Sequence, residues 1–420
     1  MQISYSHSER SRASTLRKQL VLEENMARRL LLAVVSLAAA AQQLGCGGSS
    51  SSSPPPPPHT SAPVPAATGG TVSLSGGAAV QIPAGALASD TTVTIRQSMT
   101  SVPPGTLGAL YDLGPSGTTF SQPVSVTIPV PAGTTDAAIW TRPAGAAHYT
   151  SLPTTVSNGV ATAQASHFSV FLVGPVDLNG TWAGLMSYAV TNSNGTSAGT
   201  STQMQSRDVA QDVGDVTINI GNSSGFTATC TGTVHGATLD TTCTGYASVD
   251  RSCTTPYTQT GTVSGAGWVN DSTLTWSATC GGQTFTAQNS PLTRQAGPPR
   301  NIAGNYARST TYTQTGPGGT STGSNTGTAV RTQLAGSSLV NADITMLNGA
   351  THTCNGIVVS DVLYSSCYGY NASRTIRYNS VAQGTIIPGP PIDVESISTT
   401  TIVGDPNYTS MTSQIHDVRQ

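Results

Sequence analysis

The chain has 420 residues, of which only 9% are charged, against about a quarter in an average soluble protein. Its formal net charge is −2 and its one lysine is Lys18. This excludes the basic footprint of a nucleic-acid binder and the Glu, Lys, Leu and Ala content of a helical bundle. Threonine supplies 63 residues, and Val, Gly and Ser are abundant. Such a composition favours strands and turns, so the expected class is all-β.

Residues 1–45 read as an upstream extension and an export signal. The stretch 1–25 is polar, and Met26 is the more plausible start. Arg28 and Arg29 precede a 12-residue apolar run, Leu30 to Ala41, too short to span a bilayer. Then come Cys46, Gly47-Gly48, five serines (Ser49 to Ser53) and five prolines (Pro54 to Pro58). Glycine and serine are flexible and a proline run is stiff, so 46–67 is expected to be a tether that buries no core. Counted from Cys46, the chain has 11 Arg, no Lys and 16 acidic residues, a net charge of −5. Leu44-Gly45-Cys46-Gly47 resembles the processing site of bacterial lipoproteins, although Gln43 stands where that family usually has Leu. The resemblance implies cleavage before Cys46, a lipid (palmitate among its chains) on the Cys46 thiol, and a place at the outer membrane. Three acyl chains make a stable anchor, at about 0.8 kcal/mol per buried CH₂.

Between 68 and 173 the chain turns to short alternating runs bounded by Gly and Pro, such as Thr91-Thr92-Val93-Thr94-Ile95 and Val124-Ser125-Val126-Thr127-Ile128. Period-2 alternation at this spacing predicts an antiparallel β-sandwich. Ile82-Pro83-Ala84-Gly85-Ala86-Leu87, Leu113 to Phe120, Pro123-Val124 and His167-Phe168-Ser169 resemble a ZU-five-type domain, the β-sandwich of ankyrins, netrin receptors and death-domain scaffolds. The resemblance implies a binding or scaffold module. In some relatives the bond after the Phe is cut by the protein itself. Carried over, Ser169 Oγ would attack the Phe168 carbonyl while His167 takes the serine proton. The competing expectation makes Phe168, Val170 and Leu172 core residues of the last strand, with Phe171 on its polar face. His148 could approach His167, but nothing supplies a triad.

Residues 174–298 and 299–420 are read as a duplication. Gly180-Thr181-Trp182 recurs as Gly304-Asn305-Tyr306, 124 residues on. The same offset maps Arg207 to Arg331, Ile220 to Ile344, Cys230 to Cys354 and Cys243 to Cys367. Six cysteines remain beside Cys46, and six allow 15 connectivities. The duplicated pair selects Cys230–Cys243 and Cys354–Cys367, and Cys253 and Cys280, which lack counterparts together, form the third bridge. No metal site is expected: there is no CxxC pair, and His235 and His352 do not coincide under the offset.

Each copy opens on Gly-x-Trp/Tyr and closes on Arg. This is similar to the calycin group, lipocalins and avidins, and implies up-and-down barrels closed by Arg294 on Trp182 and by Arg419 on Tyr306. A pair of immunoglobulin-like sandwiches is the alternative. Trp268, Trp276 and Phe285 either line a cavity or simply pack, and the second copy has no Trp. Asp208, Asp212 and Asp215 alternate with valines and read as a solvated strand edge; calcium would need more converging oxygens. No nucleophile elbow, P-loop or dinucleotide fingerprint is present, so no enzyme and no cofactor are expected. The leading expectation is a lipid-anchored surface protein presenting β binding modules to an unidentified protein or envelope partner. A carrier of a small apolar ligand and a protein self-cleaving between Phe168 and Ser169 are the alternatives.

Overall fold

Residues 59–64, assigned by composition to the tether, form a strand, β1 (His59–Val64), paired antiparallel with β4 (Thr91–Gln97). Pro63 is tolerated there because β1 lies at a sheet edge, where a missing N–H interrupts no ladder. The computed structural model describes residues 56–247, 252–265, 267–277, 280–288 and 290–420. The export signal, Cys46 and the serine run lie outside the described residues.

The first domain continues with β2 (Gly70–Ser73), β3 (Ala79–Ile82), β5 (Leu110–Gly114), β6 (Thr119–Pro129), β7 (Ala138–Arg142), β8 (Thr150–Leu152), β9 (Thr154–Ser157), β10 (Val160–His167) and β11 (Val170–Gly174). They form a six-stranded sheet, β1-β4-β5-β11-β7-β8, and a five-stranded sheet, β2-β3-β6-β10-β9. Val93, Ile95 and Phe171 of the first sheet pack on Val80, Val124 and Val126 of the second. The expected polar position of Phe171 is corrected here: its side chain is 0% exposed. β11 is central in its sheet and buried on both faces. Phe171 enters the sandwich core, while Leu172 packs outward on Trp140, Tyr149 and Val213. A strand covered on both sides reads as a continuous apolar run rather than an alternation.

The first repeat is built from β12 (Gly180–Thr191), β13 (Ser197–Asp212), β14 (Asp215–Asn222), β15 (Thr227–His235), β16 (Thr238–Tyr246), β17 (Thr254–Val263), β18 (Trp268–Thr275), β19 (Thr284–Gln288) and β20 (Pro291–Arg294). β12 pairs with β13 on one edge and with β19 and β20 on the other. β19 holds Ser187–Thr191 of β12 and β20 holds Trp182 and Ala183, so the two are halves of one eighth strand. The second repeat is a closed barrel of β21 (Gly304–Gly316), β22 (Gly319–Gln333), β23 (Leu339–Met346), β24 (Thr351–Val359), β25 (Val362–Tyr370), β26 (Arg377–Ile387), β27 (Asp393–Val403) and β28 (Ser410–Arg419). The architecture is all-β: a sandwich, then two eight-stranded antiparallel barrels, rather than two further sandwiches. Closure leaves no free sheet edge.

Alternation fixes what faces inward. In β16, Leu239, Thr241 and Cys243 are buried, while Thr238, Asp240, Thr242 and Thr244 are exposed. Cys230 and Cys243 sit directly opposite on β15 and β16 and are bonded, with Cα atoms 4.0 Å apart. Cys354 and Cys367 repeat this on β24 and β25. The third disulfide joins Cys253 to Cys280.

Candidate functional site

The closed end of each barrel is built the same way. Trp182 Nε1 donates to the Leu178 carbonyl at 2.8 Å, and Tyr306 Oη donates to the Ile302 carbonyl at 2.8 Å. The Leu178 amide donates to Gln211 Oε1, and the Ile302 amide to Gln333 Oε1. Trp182 and Tyr306, like Leu178 and Ile302, are 124 residues apart, but Gln211 and Gln333 are 122 apart. The second strand of each barrel has therefore slipped by two residues between copies. Trp182 faces Arg207 across the ladder, whereas Tyr306 faces Ala329 and Arg331 faces Gly304. The equation of Arg207 with Arg331 is corrected accordingly. A two-residue slip keeps the same face inside, so both arginines point inward at different levels.

These levels decide which cation covers which ring. In the first barrel Arg294 lies over Trp182, 5.2 Å from the ring centre, and Arg207 lies over Trp268 at 4.5 Å. Trp182 and Trp268 meet edge to face at 6.0 Å. In the second barrel Arg331 covers Tyr306, at 4.1 Å. Arg419 pairs with Tyr306 through the backbone, and its guanidinium lies against Gly304. A Cβ there would stand 2.7 Å from Arg419 Nε, and Gly304 has φ +149°; both demand glycine.

Above the floor the interiors diverge. Arg207 is 1% exposed. Its Nε and Nη2 donate to Gln205 Oε1 at 3.1 and 2.9 Å, and its Nη1 has no partner. No ion pair of Arg207 occurs among the described residues. Burial lowers its pKa to about 10, so it stays cationic at neutral pH. Burial pushes the Tyr188 and Tyr257 hydroxyls up, so both stay neutral. Gln205 Nε2 donates to Tyr188 Oη at 3.0 Å, and Gln259 Nε2 is buried without a partner. These groups line a cavity of about 260 Å³ whose remaining wall includes Phe226, Trp276 and Phe285.

The second barrel encloses about 140 Å³. Asp417, 0% exposed, accepts from Arg308 Nε at 2.7 Å, from Arg308 Nη2 at 2.6 Å, and from Arg331 Nη2. Burial alone would raise the Asp417 carboxyl; hydrogen bonds and charge from Arg308 and Arg331 outweigh it and hold the group below the usual carboxylate range. Burial, then the charge of Arg308, lowers His352 to about 4. Arg308 and Asp417 face each other across β21 and β28. In the first barrel the ladder puts Gly184 and Leu292 at the matching positions, one step beyond the pair Ala183 and Thr293. A Cβ on Gly184 would stand 2.9 Å from the Pro291 carbonyl oxygen. The first barrel thus has a buried cation and, at the place of the second barrel's acid, a leucine.

The other candidates are dispersed. Ser169 Oγ donates to the Arg142 carbonyl, the Phe168 carbonyl accepts from the Gly117 amide at 3.2 Å, and His167 Nδ1 is buried without a partner. The serine proton is therefore on a main-chain carbonyl and not on His167. Phe168 packs edge-on against Phe120 at 4.8 Å. Asp208 accepts from Thr181 Oγ1 within its barrel and from Ser337 Oγ and the Ser338 amide of the second barrel. Asp212 accepts from His148 and from the Tyr149 amide of the sandwich. The two carboxylates bolt domains together, and Asp215 stands exposed on β14. Among the described residues no His, Cys, Asp and Glu converge as metal ligands would, and His235 and His352 lie in different barrels.

Gln205 and Gln259 were not singled out from the sequence, and Arg207 served only to mark the repeat. The available signal was β13 itself, where Gln205, Arg207 and Gln211 share the inward face with Val209.

No protein-family model matches the chain, and no curated protein matches it. Among solved structures it is similar to a protein of unknown function of the DUF3598 family from Nostoc punctiforme, at 9% identity and a TM-score of 0.17, over 58% of this chain and 96% of that one. It is also similar to a double mutant of transferrin-binding protein B from Haemophilus parasuis, at 8% identity and a TM-score of 0.19, over 78% of this chain and 65% of that one. A single mutant of the same protein matches at 7% identity and a TM-score of 0.19, over 79% and 66%. The chain spans just under two thirds of the transferrin-binding protein B structures. Likeness at this level carries no argument about function.

Proposed function

We propose that the chain is an exported, lipid-anchored β protein of the bacterial outer membrane that acts by binding rather than catalysis. Its first barrel is the receptor for a small ligand with an apolar body. Cys46 carries the anchor, the Ser/Pro run is the spacer, and the sandwich and second barrel form the scaffold. The observation that supports this reading is the first barrel's cavity of about 260 Å³, walled by Phe226, Trp276 and Phe285. An apolar wall with a few convergent polar groups is the usual composition of a small-ligand site. The scaffold role finds support in the bolting of neighbouring domains by Asp208 and Asp212.

Native mass spectrometry of the protein purified from its own envelope tests the reading. The expected spectrum shows the acylated chain with a further small molecule that is lost on denaturation. A chain that retains nothing, and takes up nothing from an extract of envelope lipids, rules out the receptor. The acyl mass should vanish in Cys46→Ala. Two fragments split after Phe168 would instead favour the self-cleaving alternative.

A further inference from the structure

A guanidinium withdrawn from water needs a counter-charge, because an unpaired buried ion is strongly disfavoured. The second barrel meets this need internally, with Asp417 between Arg308 and Arg331. In the first barrel the matching positions hold Leu292 and Gly184, so the wall supplies no acid at that level. Arg207 uses Nε and Nη2 on one neutral oxygen, Gln205 Oε1, and leaves Nη1 free. Gln259 Nε2 is a second buried donor without an acceptor, and both residues line the cavity. Two unanswered donors, one of them charged, beside an aromatic wall describe the complement of an amphipathic anion.

We infer that the first barrel binds an organic monoanion, a carboxylate on an apolar body, with the carboxylate received by Arg207 Nη1 and Gln259 Nε2 and the body lying along Phe226, Trp276 and Phe285. This rests on the reading of that barrel as a receptor and names its ligand class. Charge-assisted hydrogen bonds in a site shielded from water discriminate strongly between a carboxylate and a neutral isostere.

Isothermal titration of the purified full chain with decanoate and with decanol, at neutral pH, tests the inference. Decanoate is expected to bind at least about tenfold more tightly than decanol. Arg207→Met is expected to bring decanoate to the level of decanol while leaving decanol unchanged, and Arg207→Lys to keep part of the preference. Equal affinity of the wild type for both probes overturns the anion and leaves the receptor standing. Binding of neither overturns both. Tight decanoate binding by Arg207→Met overturns the assignment to Arg207. Should that variant fail to fold, Gln259→Leu removes only the second donor. It is expected to weaken decanoate about fivefold and decanol not at all; equal weakening of both overturns the inference.

Discussion

The two barrels have the same wall and different contents. Each has eight strands, an aromatic floor residue capped by the carbonyl four residues before it, and a disulfide between its fourth and fifth strands. Inside the second, two arginines share one aspartate. Inside the first, one arginine has only an amide oxygen and an indole face. The difference arises at two cross-strand places, Arg308 and Asp417 against Gly184 and Leu292. Duplicated walls can therefore hold either a finished polar core or an unfinished one without changing the fold.

Breaking the second barrel's network should have the largest effect. Asp417→Ala leaves two buried guanidinium groups without an acid, and urea denaturation should show a loss of about 3–5 kcal/mol. A loss below about 1 kcal/mol would mean that the network contributes as a surface pair does.

The shared wall is tested next. Replacing both cysteines of Cys230–Cys243 or of Cys354–Cys367 by Ala should cost about 3 kcal/mol in either barrel, since the closed loops are the same length. A marked inequality would show that the walls are not interchangeable.

Acid sharpens the contrast. His352 has its folded pKa at about 4, below the ordinary 6.5. The unfolded chain therefore takes up the proton first. The contribution of neutral His352 is complete above about pH 6.5, declines as pH falls through the window, and is lost at about pH 4. Denaturation at pH 7 and pH 4.5 should differ by about 1–2 kcal/mol for the second barrel, and His352→Phe should flatten that slope.

The smallest effect is expected in the first barrel. Arg207→Met removes a buried cation that has no acid to strand, so stability should change by less than about 1 kcal/mol or increase. A loss as large as that of Asp417→Ala would mean that Arg207 is a structural keystone.

Much of the architecture was legible in the sequence. Strand alternation, the 124-residue repeat and the cysteine spacing point to β domains, a duplication and three bridges. The slip between β13 and β22 was not legible, because a shift of two leaves the inside-outside pattern unchanged. Phe171 was misplaced because its strand is covered on its outer face by another domain, which local alternation cannot reveal. The edge strand around Pro63 was hidden by tether-like composition. The missing counter-charge was hidden for a different reason: Asp417 meets Arg331 across 86 residues of chain, so neither the acid nor its replacement by Leu292 leaves a local signature.

Asp208 and Asp212 lie four residues apart on the outward face of β13, about 14 Å along the strand. One is held by Ser337 and Ser338, the other by His148 and Tyr149. Tension applied to the sandwich from an N-terminal attachment thus reaches the second barrel along this strand as well as through the linkers. The load falls on β13 in shear, where its ladders with β12 and β14 share it across many hydrogen bonds, the arrangement in which an antiparallel sheet resists pulling best.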